Sequence, residues 1–339
     1  MPTVPPEIES GKAKKLSEST LLLNLPAEVA ILILSYLPLR TLLDFSLTSH
    51  ASHTLAAAAL QTLSIGVYPT RICSLISQLS TSSIDIRSSS EIAAHPDQSA
   101  NVIIPDAYAH DPATLVAFHD RLLSTVLTRY CSSLRTLQLS IWTLSMPVAR
   151  ALAKCKSLER LTLLVENPFQ RSRGFRFVRE GRPNQLPAES PEAWDLISGT
   201  WSRLEKLKLE GAGVMMEQVE ALVRPNRRLK ELWLKDCGRV GARLFHFLAE
   251  WPGRESLERL TFSRCGDVNE GILECIDKLP RLKLLCISGS MSLSPTVVLQ
   301  MNAEKWHIPT IIIPRGSVDD LSTVDHIEVD PQYESSDTD

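Results

Sequence analysis

His50 and His53, in the string HASH, come nearest to a metal-binding pair in this sequence. The acid that a zinc protease carries beside such a pair is missing, so the two read as helix surface or core. Seven cysteines (Cys73, Cys131, Cys155, Cys237, Cys265, Cys275, Cys286) form no C-x-x-C pair and have no metal-ligand spacing. Small thiols of this kind are commonly buried as structural residues, and an odd number without an export signal suits a reducing compartment, cytoplasmic or nuclear. No G-x-x-x-x-G-K-[ST], G-x-G-x-x-G or G-x-S-x-G occurs among fourteen glycines. The expectation is therefore a protein with no catalytic residue, no metal and no cofactor, whose chemistry is binding.

Two groups of side chains could carry that binding. Arg171, Arg173, Arg176, Arg179 and Arg182 interleave with Phe169, Phe175 and Phe177. Guanidinium groups at this density suit phosphate, and the stretch has two readings: a target-binding loop, or a degenerate repeat with a solvated insertion. The second group is a set of basic residues on predicted strands, taken up below.

What must position them is a largely folded chain. Of 339 residues 44% are hydrophobic and 22% charged, and the net charge of −3 is too near neutral for wholesale attraction to nucleic acid or an anionic membrane. The apolar stretch Leu21–Leu39 contains Pro26, Glu28 and Pro38, which a spanning helix would not tolerate well, so no membrane span is expected. Residues 1–19 and 317–339, the latter strongly acidic, read as disordered tails. Residues 21–60 form a helical module, 61–112 a connecting region with hints of further repeats in ALQTLSI and TSSIDI, and 113–316 a repeat body with an insertion near 166–195.

The repeat is the pattern L-x-x-L-x-L, with other aliphatics or Phe allowed. It occurs at Leu134/Leu137/Leu139, Leu158/Leu161/Leu163, Leu204/Leu207/Leu209, Leu229/Leu232/Leu234, Leu257/Leu260/Phe262, Leu282/Leu285/Ile287 and Ile308/Ile311/Ile313. First positions lie 24, 46, 25, 28, 25 and 26 residues apart. A helix-compatible stretch fills each interval, so every unit is a short strand followed by a helix, with the second and third triplet positions pointing inward. The chain resembles the leucine-rich repeats, and Cys237 and Cys265, in LKDCG and FSRCG, resemble their cysteine-containing subclass. That resemblance implies an α/β fold: a curved solenoid of short parallel strands with outer helices.

The module from Leu22 to Ala56 resembles an F-box in Leu25-Pro26, Glu28-Val29, Ile33 to Pro38, Leu42-Leu43 and the helix from Phe45 to Leu47. It departs from the family where Ser49 and His53 replace a common Cys and Trp. The resemblance implies three helices docking on the Skp adaptor protein and, through it, a cullin scaffold. Leu25, Pro26, Ile33, Leu37, Pro38, Leu42 and Leu43 would form or support that surface. The implied function is a substrate adaptor of an SCF-type ubiquitin ligase, with two alternatives: a repeat scaffold without a ligase role, and a GTPase-activating repeat protein, which would leave the N-terminal module unexplained.

Outward strand positions carry five basic residues, Arg160, Lys206, Lys208, Lys235 and Arg259, against Glu210 and Glu231, with Trp233 near the centre. This face is expected to bind a protein target through an acidic or phosphorylated segment, the plainer alternative being a solvated strand face.

Overall fold

The computed structural model describes residues 25–68, 98–104, 107, 110–166, 190–289 and 293–313. The tails expected at 1–19 and 317–339, the string TSSIDI and the Arg/Phe cluster lie outside these residues. Three helices come first, α1 (Ala27–Ser35), α2 (Leu39–Ser46) and α3 (His50–Ala59), followed by β1 (Thr62–Tyr68), β2 (Ser99–Ile103) and α4 (Pro112–Tyr130). Strand and helix then alternate: β3 (Thr136–Ile141), α5 (Met146–Leu152), β4 (Arg160–Val165), α6 (Pro191–Ile197), β5 (Lys206–Glu210) and α7 (Met216–Val223). The series continues through β6 (Glu231–Lys235), α8 (Arg243–Glu250), β7 (Arg259–Ser263), α9 (Leu273–Asp277), β8 (Leu284–Ser288), α10 (Pro295–Met301) and β9 (Thr310–Ile312).

The nine strands make one parallel sheet in the order β2-β1-β3-β4-β5-β6-β7-β8-β9. From β3 onward spatial order equals chain order, so each unit stacks on the one before it, an arrangement compatible with a solenoid. Register follows the triplets: the second positions form the ladder Leu137, Leu161, Leu207, Leu232, Leu260, Leu285, Ile311. Strand side chains two apart share a face, so the third positions form a parallel ladder beside it, and from β3 to β8 both ladders are at most 1% exposed. Each such aliphatic contributes roughly 1.5–3 kcal/mol through burial.

Leu60/Leu63/Ile65 is an eighth triplet, with Leu63 opposite Leu137 and Ile65 opposite Leu139. The connecting region thus supplies β1 and the edge strand β2. Across the 46-residue interval β4 pairs directly with β5, Leu161 facing Leu207, so among the described residues no strand lies between them. Helix α6 lies near the end of that interval.

Strands β5 to β8 each end in a residue with left-handed backbone at the same position: Gly211 (φ 68°), Asp236 (φ 56°), Arg264 (φ 48°) and Gly289 (φ 80°). At Gly211 a Cβ would run into the Val165 carbonyl oxygen, so glycine is required twice over. At the next two units the Arg264 guanidinium donates both to Asp236 Oδ1 (2.8 Å) and to Oδ2 (2.6 Å), tying two strained turns together.

The N-terminal helices share the sheet's core. Leu34, Leu39, Leu42, Ala56 and Ala59 are buried in it, and Ala30 is fully buried on the same helix as Leu34. The buried Gln98 amide donates to the Ser35 carbonyl (3.1 Å), and Ser133 Oγ to that of Leu60 (2.9 Å), fastening the helices to the sheet's first strands. Helix α4 begins at Asp111, whose carboxylate accepts from Thr114 N–H (2.9 Å) ahead of Pro112, a strong N-cap signal. It buries His119 completely: the ring stacks on Trp142 (5.0 Å, 13°), and Nε2 accepts the Trp142 backbone N–H at 3.3 Å. The Trp142 indole N–H in turn donates to the Val67 carbonyl at 2.7 Å, linking α4, β3 and β1.

Candidate functional site

Two surfaces stand out. The first is helical. Pro26 and Pro38 precede the first residues of α1 and α2, where a missing N–H is harmless, and Glu28 in the first turn of α1 meets the positive end of its dipole. Helix α1 is apolar on two faces. Ala30 and Leu34 enter the core, while Leu25, Val29, Leu32, Ile33 and Tyr36 are exposed. Their spacing of i, i+4, i+7, i+8 and i+11 is one helical stripe. On α2, Leu39 and Leu42 turn inward and Leu43 outward, followed by Leu47 with 82% of its surface in solvent.

Of the residues expected to dock a partner, Leu25, Pro26, Ile33, Pro38 and Leu43 are exposed, Leu37 is half-buried, and Leu42 is buried at 1%. Leu42 can therefore support such a surface but not touch a partner. Val29, Leu32, Tyr36 and Leu47, outside that set, are exposed as well, and helical spacing counted from Leu25 picks out the first three. With the other exposed residues they present on the order of several hundred Å² of apolar surface, as much as the largest patch on a typical monomer.

The departures at Ser49 and His53 have local reasons. Ser49 is the N-cap of α3, its hydroxyl accepting from Ser52 N–H at 3.0 Å. His53 faces the Arg129 guanidinium of α4, 3.2 Å away. The third helix is thereby capped and bound to the repeat body.

The second surface is the sheet face opposite the two apolar ladders, whose residues form three rows; Arg160 is exposed, most of the others are half-buried, and Leu164, Glu231, Lys235, Ser263 and Cys286 are buried. Arg160, Lys206, Glu231, Arg259 and Leu284 are in register in the first; Thr162, Lys208, Trp233, Thr261 and Cys286 in the second; Leu164, Glu210, Lys235, Ser263 and Ser288 in the third. Glu231, 11% exposed, serves three cations: Lys208 Nζ at 3.1 Å, Lys206 Nζ at 3.6 Å and Arg259 Nη1 at 3.9 Å. Lys235 lies 2.6 Å from Glu210 with 6% of its side chain exposed. Five basic residues in sequence are thus not five free charges. In-register pairing withdraws Lys235 from the accessible set, and Lys206, Lys208 and Arg259 converge on Glu231. Arg160 is exposed and has no ion-pair partner among the described residues.

The Lys208 ammonium sits 4.3 Å above the half-buried Trp233 ring, a cation–π contact. Beside them Gln138, Thr162, Leu164 and Glu210 help line a hollow of about 80 Å³, room for a small side chain rather than a cofactor. The strand-leading residues along one rim carry paired charges: Arg135–Glu159 (3.3 Å), Lys230–Glu205 (3.0 Å) and Lys283–Glu258 (2.9 Å), all well solvated and of small energetic weight.

The thiols are placed for packing. Burial pushes the Cys155 thiol up to about 12, far from a reactive thiolate. Cys237 and Cys265 stand two residues beyond in-register strand ends and interact. The hydrogen bond between them, and then burial, raise Cys237 well above the ordinary thiol range, while the same bond lowers Cys265. Cys275 faces His246 Nδ1 at 3.2 Å, but burial raises its thiol, and Glu274 and Glu250 add to that. Among the described residues no three His, Cys, Asp or Glu side chains form a metal-binding group, and no helix is long and apolar enough to cross a membrane.

Compared with known proteins, the F-box domain family matches residues 22–57, the segment that contains α1, α2 and most of α3. A solved structure of the Rad7 and Elc1 complex in yeast resembles 52% of this chain at 15% identity, with a TM-score of 0.32. The matched part is 55% of that structure's chain, about half its length. A search of curated proteins found no match. F-box domains bind Skp-type adaptors, and proteins that carry them are generally non-catalytic substrate adaptors.

Proposed function

We propose that this chain is the substrate-recognition subunit of an SCF-type ubiquitin ligase. In this reading α1 to α3 dock on the Skp adaptor, which joins them to a cullin scaffold, and the strand–helix units form a leucine-rich-repeat solenoid whose outward sheet face selects the target. The observation that carries it is the coincidence of an F-box match at residues 22–57 with a second apolar face on α1, at Leu25, Val29, Leu32, Ile33 and Tyr36, that the rest of the fold leaves in solvent. Such a stripe next to a satisfied core suits a partner surface better than it suits a free monomer.

Copurification tests this directly. The full chain should bring down a Skp adaptor, and Leu25→Asp combined with Ile33→Asp should abolish the association. Both positions are exposed, so the substitutions should leave folding within about 1 kcal/mol of the parent. Absence of any association with the unaltered chain would favour the other reading, a repeat scaffold without a ligase role.

For the target surface, Arg160, Lys206, Lys208, Arg259 and Trp233 are the candidates, with Lys235 a supporting residue beneath them. They suit an acidic or phosphorylated protein segment, because the face stays net positive after Glu210 and Glu231 are counted. Target capture that survives Lys208→Ala with Trp233→Ala would remove this face from the account.

A further inference from the structure

The turns that lead into β3, β4, β5 and β6 lie along one rim of the sheet, because these strands are parallel and in register. The register extends one residue before the strands: the N–H groups of Glu159, Glu205 and Lys230 donate to the carbonyls of Arg135, Glu159 and Glu205 at 2.8, 2.6 and 2.8 Å. Residues 131–135, 153–159, 198–205 and 224–230 hold eight Lys or Arg against two acids, Glu159 and Glu205. Both acids are taken, by Arg135 (3.3 Å) and Lys230 (3.0 Å), and Arg224 pairs with Glu220 of α7 (3.4 Å). The other five cations, Lys154, Lys156, Arg203, Arg227 and Arg228, are exposed and have no ion-pair partner among the described residues. On a chain whose net charge is −3, this rim concentrates positive charge that the fold leaves unneutralised.

One end of the rim is hollowed. Ser132, Ser157, Arg135 and Arg203 surround an open cavity of about 320 Å³, whose wall includes Glu159, already paired with Arg135. Arg203 brings a whole guanidinium fork, Arg135 keeps the donors that Glu159 does not use, and the Ser132 and Ser157 hydroxyls have no partner among the described residues. Donors gathered in this way suit a phosphate monoester, which carries up to two charges and three acceptor oxygens. The volume admits a phosphate together with the side chain that bears it. Two other phosphate-bearing partners fit less well. Single-stranded nucleic acid stacks its bases on aromatic side chains, and the one aromatic in these four turns, Trp201, is 1% exposed. A membrane surface takes up exposed apolar side chains, and none of the exposed large hydrophobics lies in these turns.

We propose that this rim binds a protein segment in which a phosphorylated serine or threonine stands beside acidic residues. The phosphate enters the hollow between Arg135 and Arg203, and the acids lie along Lys156, Arg227 and Arg228. Arg203 and Arg228 each precede the first leucine of neighbouring triplets, so they stand about one strand spacing apart, near 4.8 Å, and an extended segment can meet both. The site is separate from α1 and from the outward sheet face, and it depends on neither being a binding surface.

The test is a fluorescence-anisotropy titration of the full chain with labelled probes: an acidic peptide carrying one phosphoserine, the same peptide unphosphorylated, and a single-stranded RNA of equal charge. The phosphopeptide should bind at least roughly ten-fold more tightly than its unphosphorylated form. Arg203→Ala combined with Arg228→Ala should weaken it at least roughly ten-fold, with the melting temperature unchanged because both side chains are exposed. Arg281→Ala, an exposed position in the turn before β8, should leave binding as it is. Equal affinity for the two peptides, no binding of the phosphopeptide, or binding that survives the double substitution would overturn the proposal. So would an equal loss on Arg281→Ala, which reports overall charge, or RNA binding as tight as the phosphopeptide's, which assigns the rim to nucleic acid. Copurification of a Skp adaptor should be unchanged by the double substitution, so a failure here is distinct from a failure of the ligase reading.

Discussion

Replacing Glu231 with Gln keeps the shape of the side chain and removes a carboxylate charge on which Lys206, Lys208 and Arg259 converge. At an effective dielectric near 20, a unit charge pair 3–4 Å apart is worth about 4–5 kcal/mol before desolvation and screening. The three cations are 20%, 22% and 39% exposed and the carboxylate 11%, so most of that gross energy is offset by hydration lost on folding. A net destabilisation of about 2 kcal/mol at low salt is expected, a fall of roughly 4–8 °C in melting temperature for a body of this size. Salt gives the sign that separates electrostatics from packing. In the variant the attraction of three cations to this carboxylate is gone while their mutual repulsion stays, so added salt should recover part of the loss; in the parent it should not stabilise. Thermal melts of both proteins at about 0.02 and 0.5 M salt read this out. If the variant melts within about 1 °C of the parent at low salt, or salt fails to narrow the gap, the shared-carboxylate account is wrong.

Three further outcomes follow from the geometry. His119→Ala should destabilise by about 2–4 kcal/mol in urea unfolding, since it opens a cavity against Trp142 and removes the imidazole that accepts its backbone N–H. Gly211→Ala should lose roughly 2 kcal/mol or more through its clash with the Val165 carbonyl, whereas Asp236→Gly, which relieves a left-handed turn while losing the Arg264 contact, should stay within about 1 kcal/mol of the parent. Thiol alkylation of the folded protein at pH 8 should label Cys265 before Cys237 and Cys155. The Cys265 thiol lies below its ordinary value, so rising pH exposes its thiolate first, and the other two lie above theirs. Mass spectrometry of the labelled peptides gives the order.

The seven triplets were legible because both inward positions of each strand are aliphatic or Phe and in register, so one period fixes strand, face and neighbour together. The Leu60/Leu63/Ile65 triplet was harder to see: it stands 74 residues before Leu134, and β2 intervenes in the chain while lying on its far side in the sheet. The long interval before Leu204 leaves room for another unit by its length, whereas the pairing of Leu161 with Leu207 shows that the triplets on either side of it are neighbours in the sheet. At the sites, residue type was read more easily than availability. Pattern alone makes Lys235 and Arg160 equal members of a basic face, but Lys235 stands opposite Glu210 in the next strand and is taken up by it. Similarly, Leu42 and Leu43 are adjacent letters in a family motif, while a helix sends one to the core and the other to solvent. The α1 stripe was overlooked because both faces of that helix are apolar, so no single amphipathic signal marks which is free.

The central claim is that the N-terminal helices dock on a Skp adaptor through the exposed face of α1. The most direct measurement is a binding titration of purified Skp adaptor against the full chain and against Leu32→Asp, a position outside the family-derived set and 59% exposed. The account predicts a saturable one-to-one complex that weakens at least roughly 30-fold on the substitution, with the melting temperature of the free chain unchanged. Equal affinity for the two proteins would contradict it.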